Sequence, residues 1–155
     1  MSEQTYIRQL AQNRKARHDY HLHETLEAGI VLTGTEVKAA RSGNVQLKES
    51  HVEIKGDEAF LVGAHISPYT HGNRENHPAV RPRKLLLKRR EIDRLHGKSQ
   101  AKGFTIVALK VFLRGNLIKV EIALASGKKL YDKRQAAKER ELDKEARDAV
   151  KHASR

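Results

Sequence analysis

The chain has 155 residues, one domain by length with room for a tail, and 31 Lys and Arg against 19 Asp and Glu give a formal net charge of +12 and a pI near 10.1. About 2–8 net charges suffice for solubility in a small domain, so the excess points to a polyanionic partner. Cysteine is absent, which excludes disulfides and thiolate metal sites; no apolar run approaches the roughly 18 residues of a membrane span; and MSEQTYIRQLAQNRKARHD has no secretory apolar stretch, so the expectation is a cytosolic protein whose polyanion is nucleic acid.

Residues 1–17 are polar and basic with little periodicity and predict a flexible arm. His18 to Leu32 is strand-like, interrupted by Gly29. Thr35 is placed to N-cap a short helix with Glu36 in its first turn and Gly43 as its stop. Val45 and Leu47 alternate with polar residues, as do Val52 and Ile54, and Ala59 to Ile66 predicts a further strand ended by Ser67-Pro68. The stretch THGNRENHPAVRP, 70–82, reads as loop. Ile92 and Leu95 have helical spacing. Phe104–Leu113 and Leu117–Ala125 predict a hairpin around Arg114-Gly115-Asn116. A mainly β fold follows: an OB-like Greek-key β-barrel of about six strands over 18–126, with two or three short helices.

Past Ser126 the composition changes. Residues 127–155 are mostly charged residues and alanine, and Leu142, Ala146, Ala149 and Val150 make only a narrow helical stripe. Isolated helices of about 12–15 residues are marginal in water, so this basic tail is expected to be disordered when free and helical when a partner holds it.

The candidate chemistry is that of binding. In HDYHLHE, 18–24, His21 and His23 share one strand face, but a zinc site needs ligands from elsewhere and no HExxH accompanies them; no metal site is expected. A ribonuclease using His18, His21 or His23 is the enzyme alternative, and a general RNA-binding OB protein the alternative binding module. Neither a P-loop nor a dinucleotide fingerprint is present, and no small-molecule cofactor is expected. With four Tyr, three Phe and no Trp, the chain has few platforms for stacking single-stranded bases, so contacts to phosphates and to folded RNA fit better. Basic runs supply those contacts: Arg14, Lys15 and Arg17 in NRKARHDY, with His18 near a phosphate, and the charges flanking the leucines of RPRKLLLKRR, 81–90, Lys84 among them.

NRKARHDY (13–20), EAGIVLTGTEVKAAR (27–41), EAFLVGAHISPY (58–69), RPRKLLLKRREID (81–93) and GKKLYDKR (127–134), in that order, resemble the small protein B family of SsrA-binding proteins. The resemblance runs from about Ala11 to Arg155 and is weakest over 70–80. It implies an OB-like barrel without enzymatic activity or cofactor. That barrel would bind the tRNA-like domain of tmRNA and, with elongation factor Tu, deliver it to stalled ribosomes. It implies that Asn13, Glu27, Leu86 and Lys119 contact tmRNA. It also implies that Gly127, Lys128, Lys129, Tyr131, Asp132, Lys133 and Arg134 belong to a tail that probes the empty mRNA channel near the decoding centre. Glu27 is unusual there, since a carboxylate is a poor neighbour for phosphate: it can accept from a base amino group, orient a basic side chain, or be a plain strand-surface charge.

Overall fold

The computed structural model of the chain describes residues 7–69 and 76–128. In chain order these form β1 (Ile7–Gln12), α1 (Arg14–Asp19), β2 (Tyr20–Ile30), α2 (Gly34–Arg41), β3 (Val45–Gln46), β4 (His51–Lys55), β5 (Glu58–Val62), β6 (His65–Ile66), β7 (Arg83–Leu86), α3 (Arg89–Ser99), β8 (Phe104–Arg114) and β9 (Leu117–Gly127). Seven strands build one antiparallel sheet in the order β1-β8-β9-β2-β7-β5-β4, and β3 pairs with β6 in a separate ribbon. The fold is mainly β, as expected, but the main sheet has seven strands rather than about six and does not close into a barrel.

The N-terminal segment explains both differences. From Ile7 on, the expected arm is a strand and a helix. β1 takes the edge of β8 from Lys110 to Arg114, so β8 has no free edge there to offer β4. Asn13 takes the next carbonyls: its backbone N–H donates to Leu109 O at 2.7 Å and its Nδ2 to Ala108 O at 3.0 Å. The same Nδ2 donates to Leu47 O at 3.0 Å and bridges the seam where a barrel would close. The strand has almost no periodicity of its own; the ladder to β8, remote in sequence, holds it.

Local signals account for most of the rest. The N-cap of α2 is Thr33, not Thr35. Only Thr33 has a glutamate three residues on, and the two make a capping box: Thr33 Oγ1 accepts from Glu36 N at 3.4 Å and Glu36 Oε1 from Thr33 N at 2.9 Å. Gly43, at φ +82°, ends α2 as expected, with Gly43 N bonded to Ala40 O and Asn44 N to Ala39 O, the two bonds of a Schellman motif. The strand expected over 59–66 is broken at Gly63, also left-handed, where a Cβ would stand 2.6 Å from Glu49 O; β6 pairs away with β3. Within 70–82, residues 76–82 are tied down. The Asn76 side chain accepts from Tyr69 N at 3.2 Å and donates to Tyr69 O at 2.8 Å, while buried His77 donates through Nε2 to Ile66 O at 3.0 Å. The hairpin turns through Gly115-Asn116, Gly115 at φ +63°, as in a type II′ turn.

The main core lies on the concave side of the sheet, where Leu61, Leu85, Ile106, Val120 and Ile122 meet Ala39 and Ala40 of α2 and Leu95 of α3. A smaller cluster lies on the outer side: Ala16 and Tyr20 cover Val107, Leu109, Ala123 and Ala125. Between α2 and β7 sits a buried charge cluster. The carboxylate of Glu36, 0% exposed, accepts from Arg81 Nε at 3.1 Å and from the Arg83 guanidinium, itself 0% exposed. Arg83 Nη1 also donates to Ala64 O at 2.9 Å and Nη2 to Ala79 O at 3.1 Å. Burial pushes the Glu36 carboxyl up; donation from Arg81, the Thr33 N–H and Arg83 outweighs it and holds the group at about 2.

Removing Glu36 leaves Arg83 a buried, uncompensated charge, so Glu36→Ala is expected to cost roughly 3–5 kcal/mol in urea unfolding at neutral pH. A folded pKa below the ordinary 4.5 means that this carboxyl's pH-linked stability is present above 4.5 and lost as pH falls toward 2. Glu36→Gln should therefore flatten that part of the stability profile; identical slopes for the two proteins over this range would contradict the assignment.

Candidate nucleic-acid interface

Strand alternation builds the site. In β7, Arg83 and Leu85 point inward, so Lys84 and Leu86 must point outward. On β2, Gly29 stands opposite Leu86, and on β9 Lys119 stands opposite Gly29. Glycine at this central place leaves a trough: a Cβ at position 29 would lie 3.2 Å from Leu86 Cβ. The result is a groove of about 580 Å³ lined by Glu27, Gly29, Lys84, Leu86, Lys88 and Lys119, with Glu91 and Ile92 of α3 on its flank. Leu86 is 54% exposed there, a large apolar side chain left open between two lysines.

Ion pairs order the charges of this outer face. Lys84 Nζ lies 3.1 Å from Glu58 Oε2, and Glu121 is 3.4 Å from Lys110 and 3.8 Å from Arg17. Glu27 receives a two-pronged bond from Arg114. That bond, with the charges of Arg114, Lys119 and Lys110, outweighs the desolvation of Glu27 and holds its carboxyl below the usual range. Lys119 has no ion-pair partner among the described residues. Its charge is thus available to a phosphate.

Four of the residues expected to bind RNA, Glu27, Lys84, Leu86 and Lys119, therefore meet in one groove. The other four do not. Arg14, Lys15 and His18 lie on α1 at the far end of the same face, exposed; Lys15 is 3.4 Å from Glu49 and His18 Nδ1 3.0 Å from Asp19. Asn13 is 3% exposed, and both its amide hydrogens and its oxygen are engaged, the oxygen as N-cap of α1 by accepting from Ala16 N at 3.1 Å. Its amide hydrogens are both spent on the scaffold, which leaves a base only the second lone pair of a buried oxygen. Of the tail residues, Gly127 ends β9 opposite Tyr20, and Lys128 N donates to Asp19 O at 2.9 Å, so the tail is rooted beside α1. Lys129, Tyr131, Asp132, Lys133 and Arg134 lie outside the described residues. His23 Nε2 bonds Ser126 Oγ at 2.7 Å, and among the described residues no three His, Cys, Asp or Glu side chains group as metal ligands. None of the described helices is long and apolar enough to cross a membrane.

The sequence reading missed two contributors. Gly29 looked like an interruption of a strand; it is the floor of the groove. Arg114 looked like a turn residue; it is the partner of Glu27.

The family model described as "SmpB protein" matches residues 10–152. The chain belongs to the SmpB family. It is 52% identical over its whole length to an SsrA-binding protein of Shouchella clausii, covering 99% of that protein, and 51% identical over 92% of its length to one of Carboxydothermus hydrogenoformans, covering 95%. Among solved structures it is similar to a chain from "tmRNA-SmpB: a journey to the center of the bacterial ribosome", with a TM-score of 0.68 and 43% identity over 82% of this chain and 93% of that one. The groove and the buried Asn13 are thus features of a member of this family.

Because Asn13 caps α1 and holds two carbonyls across the seam, Asn13→Ala is expected to destabilise the fold by about 2–4 kcal/mol. Any loss of RNA binding should then track the unfolded fraction. A loss of binding with urea unfolding unchanged within about 0.5 kcal/mol would restore Asn13 as a direct contact.

Proposed function

We propose that this protein binds the tRNA-like domain of tmRNA through the Glu27–Lys84–Leu86–Lys119 groove and carries it to stalled ribosomes for trans-translation. The observation that carries this reading is the convergence of those four residues, far apart in sequence, on one open trough in a member of the SmpB family. The names of its relatives, SsrA-binding proteins, and its likeness to a chain from a tmRNA-SmpB ribosome structure support the same partners. On this reading the protein acts in the cytoplasm, partly on ribosomes, and is not an enzyme; elongation factor Tu accompanies it in the delivered complex.

The physical division of labour is simple. Lys119 and Lys84 meet phosphate oxygens, and exposed Leu86 gives a ribose or base an apolar seat. The tail, 127–155, has ten basic and six acidic residues. Its root is tied to α1. A chain that is soluble alone and attracted to ribosomal RNA is suited to enter the mRNA channel when the channel is empty. Lys128, Lys129, Lys133 and Arg134 would meet that RNA, Tyr131 would stack on a base, and Asp132 would accept a hydrogen bond.

Two measurements test this. Lys119→Ala should leave stability within about 0.5 kcal/mol yet weaken tmRNA binding and lower the slope of log affinity against log salt by about one. Wild-type affinity and slope would reject the groove. Replacing Asp132, Lys133 and Arg134 together by Ala should leave tmRNA binding intact but abolish peptidyl transfer to alanyl-tmRNA on ribosomes holding truncated message. Alanine is a strong helix former, so lost helix propensity would not explain the defect. Normal transfer would mean that the tail motif is merely a solvated basic run.

A further inference from the structure

The carboxylate in the groove poses a problem for an RNA interface, and its surroundings solve it. Glu27 does not stand free. Arg114 Nε donates to its Oε1 at 2.9 Å and Arg114 Nη2 to its Oε2 at 2.8 Å, a parallel fork with both carboxylate oxygens occupied. Arg114 ends β8, outside the core, with 39% of its side chain exposed. Its guanidinium carbon lies 5.6 Å from the centroid of the Phe112 ring, which supports it from one side. The planar group is therefore fixed both in direction and in tilt.

The fork uses two of the five guanidinium N–H groups. The remaining three, two on Nη1 and one on Nη2, have no acceptor among the described residues. Phe112 stands opposite Lys119 and Arg114 opposite Leu117, so Arg114 and Lys119 are diagonal neighbours across the β8–β9 pair. Side chains so related stand roughly 7–8 Å apart, near enough to serve one stretch of nucleic-acid backbone. A planar guanidinium with one edge held and the other edge open matches the two oxygens of a phosphate.

We propose that Arg114 is the RNA-contacting group at this end of the groove, its free edge taking a backbone phosphate, and that Glu27 is a positioning residue acting through Arg114. The inference rests on the groove being the tmRNA interface. It turns Glu27 from a charge that repels phosphate into one that aims a cation at it. Loss of Glu27 then weakens binding because the guanidinium is released.

A double-mutant cycle with the transcribed tRNA-like domain of tmRNA tests this, with affinity titrated at several salt concentrations and melting followed in parallel. Arg114→Ala should weaken binding about tenfold and lower the salt slope by about one, without lowering the melting temperature in proportion. Arg114→Lys should recover the slope but not the full affinity, since it restores the charge and not the fork. Glu27→Ala should weaken binding in the wild-type background and add nothing in the Arg114→Ala background. Lys119→Ala separates the two levels of failure. If it weakens binding while Arg114→Ala binds as wild type, the groove stands and Arg114 is no part of it. If neither variant changes affinity, the groove itself is wrong and the inference falls with it. A Glu27→Ala loss as large in the Arg114→Ala background as in wild type would mean that Glu27 touches RNA directly, which overturns its positioning role.

Discussion

Arg83 is a cation with no exposure to solvent, and burying such a charge is tolerable only when every donor is answered. Glu36 answers from α2, and the carbonyls of Ala64 and Ala79 answer from the segments on either side of β6. This arrangement admits one orientation of β7. With Arg83 and Leu85 turned in, Lys84 and Leu86 are turned out beside Gly29. A slip of one residue would turn Arg83 and Leu85 out and Lys84 and Leu86 in, losing the guanidinium's several bonds at the cluster. The cluster therefore specifies more than it stabilises: it sets which face of β7 the groove receives, and it ties α2 to the strand that carries half of the site.

A second constraint acts at the seam. A sheet that curls toward closure but does not close leaves carbonyls near its gap, and these need donors. Asn13 supplies them for Leu47 and Ala108 while its oxygen starts α1. The helix so started covers Val107, Leu109, Ala123 and Ala125, and the carbonyl of its last residue, Asp19, accepts from the backbone N–H of Lys128. One amide side chain thus links the open edge, the cover of the outer face and the root of the tail. A motif residue can matter to binding through the scaffold it holds together.

Legibility followed the range of the interaction. The β8–β9 hairpin, the helix bearing Ile92 and Leu95, and the stop at Gly43 were readable because their causes lie within a few residues. The capping box at Thr33 and Glu36 was equally local, and its T-x-x-E spacing was there to be read. The strand at Ile7–Gln12 was not readable, because its hydrogen bonds go to residues about a hundred positions away. Nor was the break at Gly63, which depends on the Glu49 carbonyl standing where a Cβ would go. In the site, Glu27, Lys84, Leu86 and Lys119 came from charge pattern and family resemblance, while Arg114 and Gly29 needed the strand register to be known. Asn13 shows the reverse case: the family resemblance implies a contact, while its burial and its bonds to Leu47, Ala108 and Ala16, visible only in the fold, give it a scaffold role.

The charges divide in a way that composition alone conceals. The chain as a whole is strongly basic, yet the face that holds the groove is close to balanced: Lys84 with Glu58, Lys110 with Glu121, Arg114 with Glu27 and Lys55 with Glu53, leaving Lys88 and Lys119 of the groove without an ion pair among the described residues. A balanced face exerts little pull at a distance, since its fields cancel within about a Debye length, near 8 Å at physiological salt. Long-range attraction to RNA then draws on charge elsewhere in the chain, including the net +4 of residues 127–155 (10 − 6) and Arg14 of α1, which has no ion pair among the described residues. Pairing has a further effect at contact. Each held cation has given up rotamer freedom before RNA arrives, so less ordering remains to be done on binding. An RNA whose phosphates do not match these fixed positions meets glutamates instead, and is repelled. On the proposed function, general attraction lies largely outside the groove and address lies within it, so a strongly cationic protein need not be an indiscriminate one.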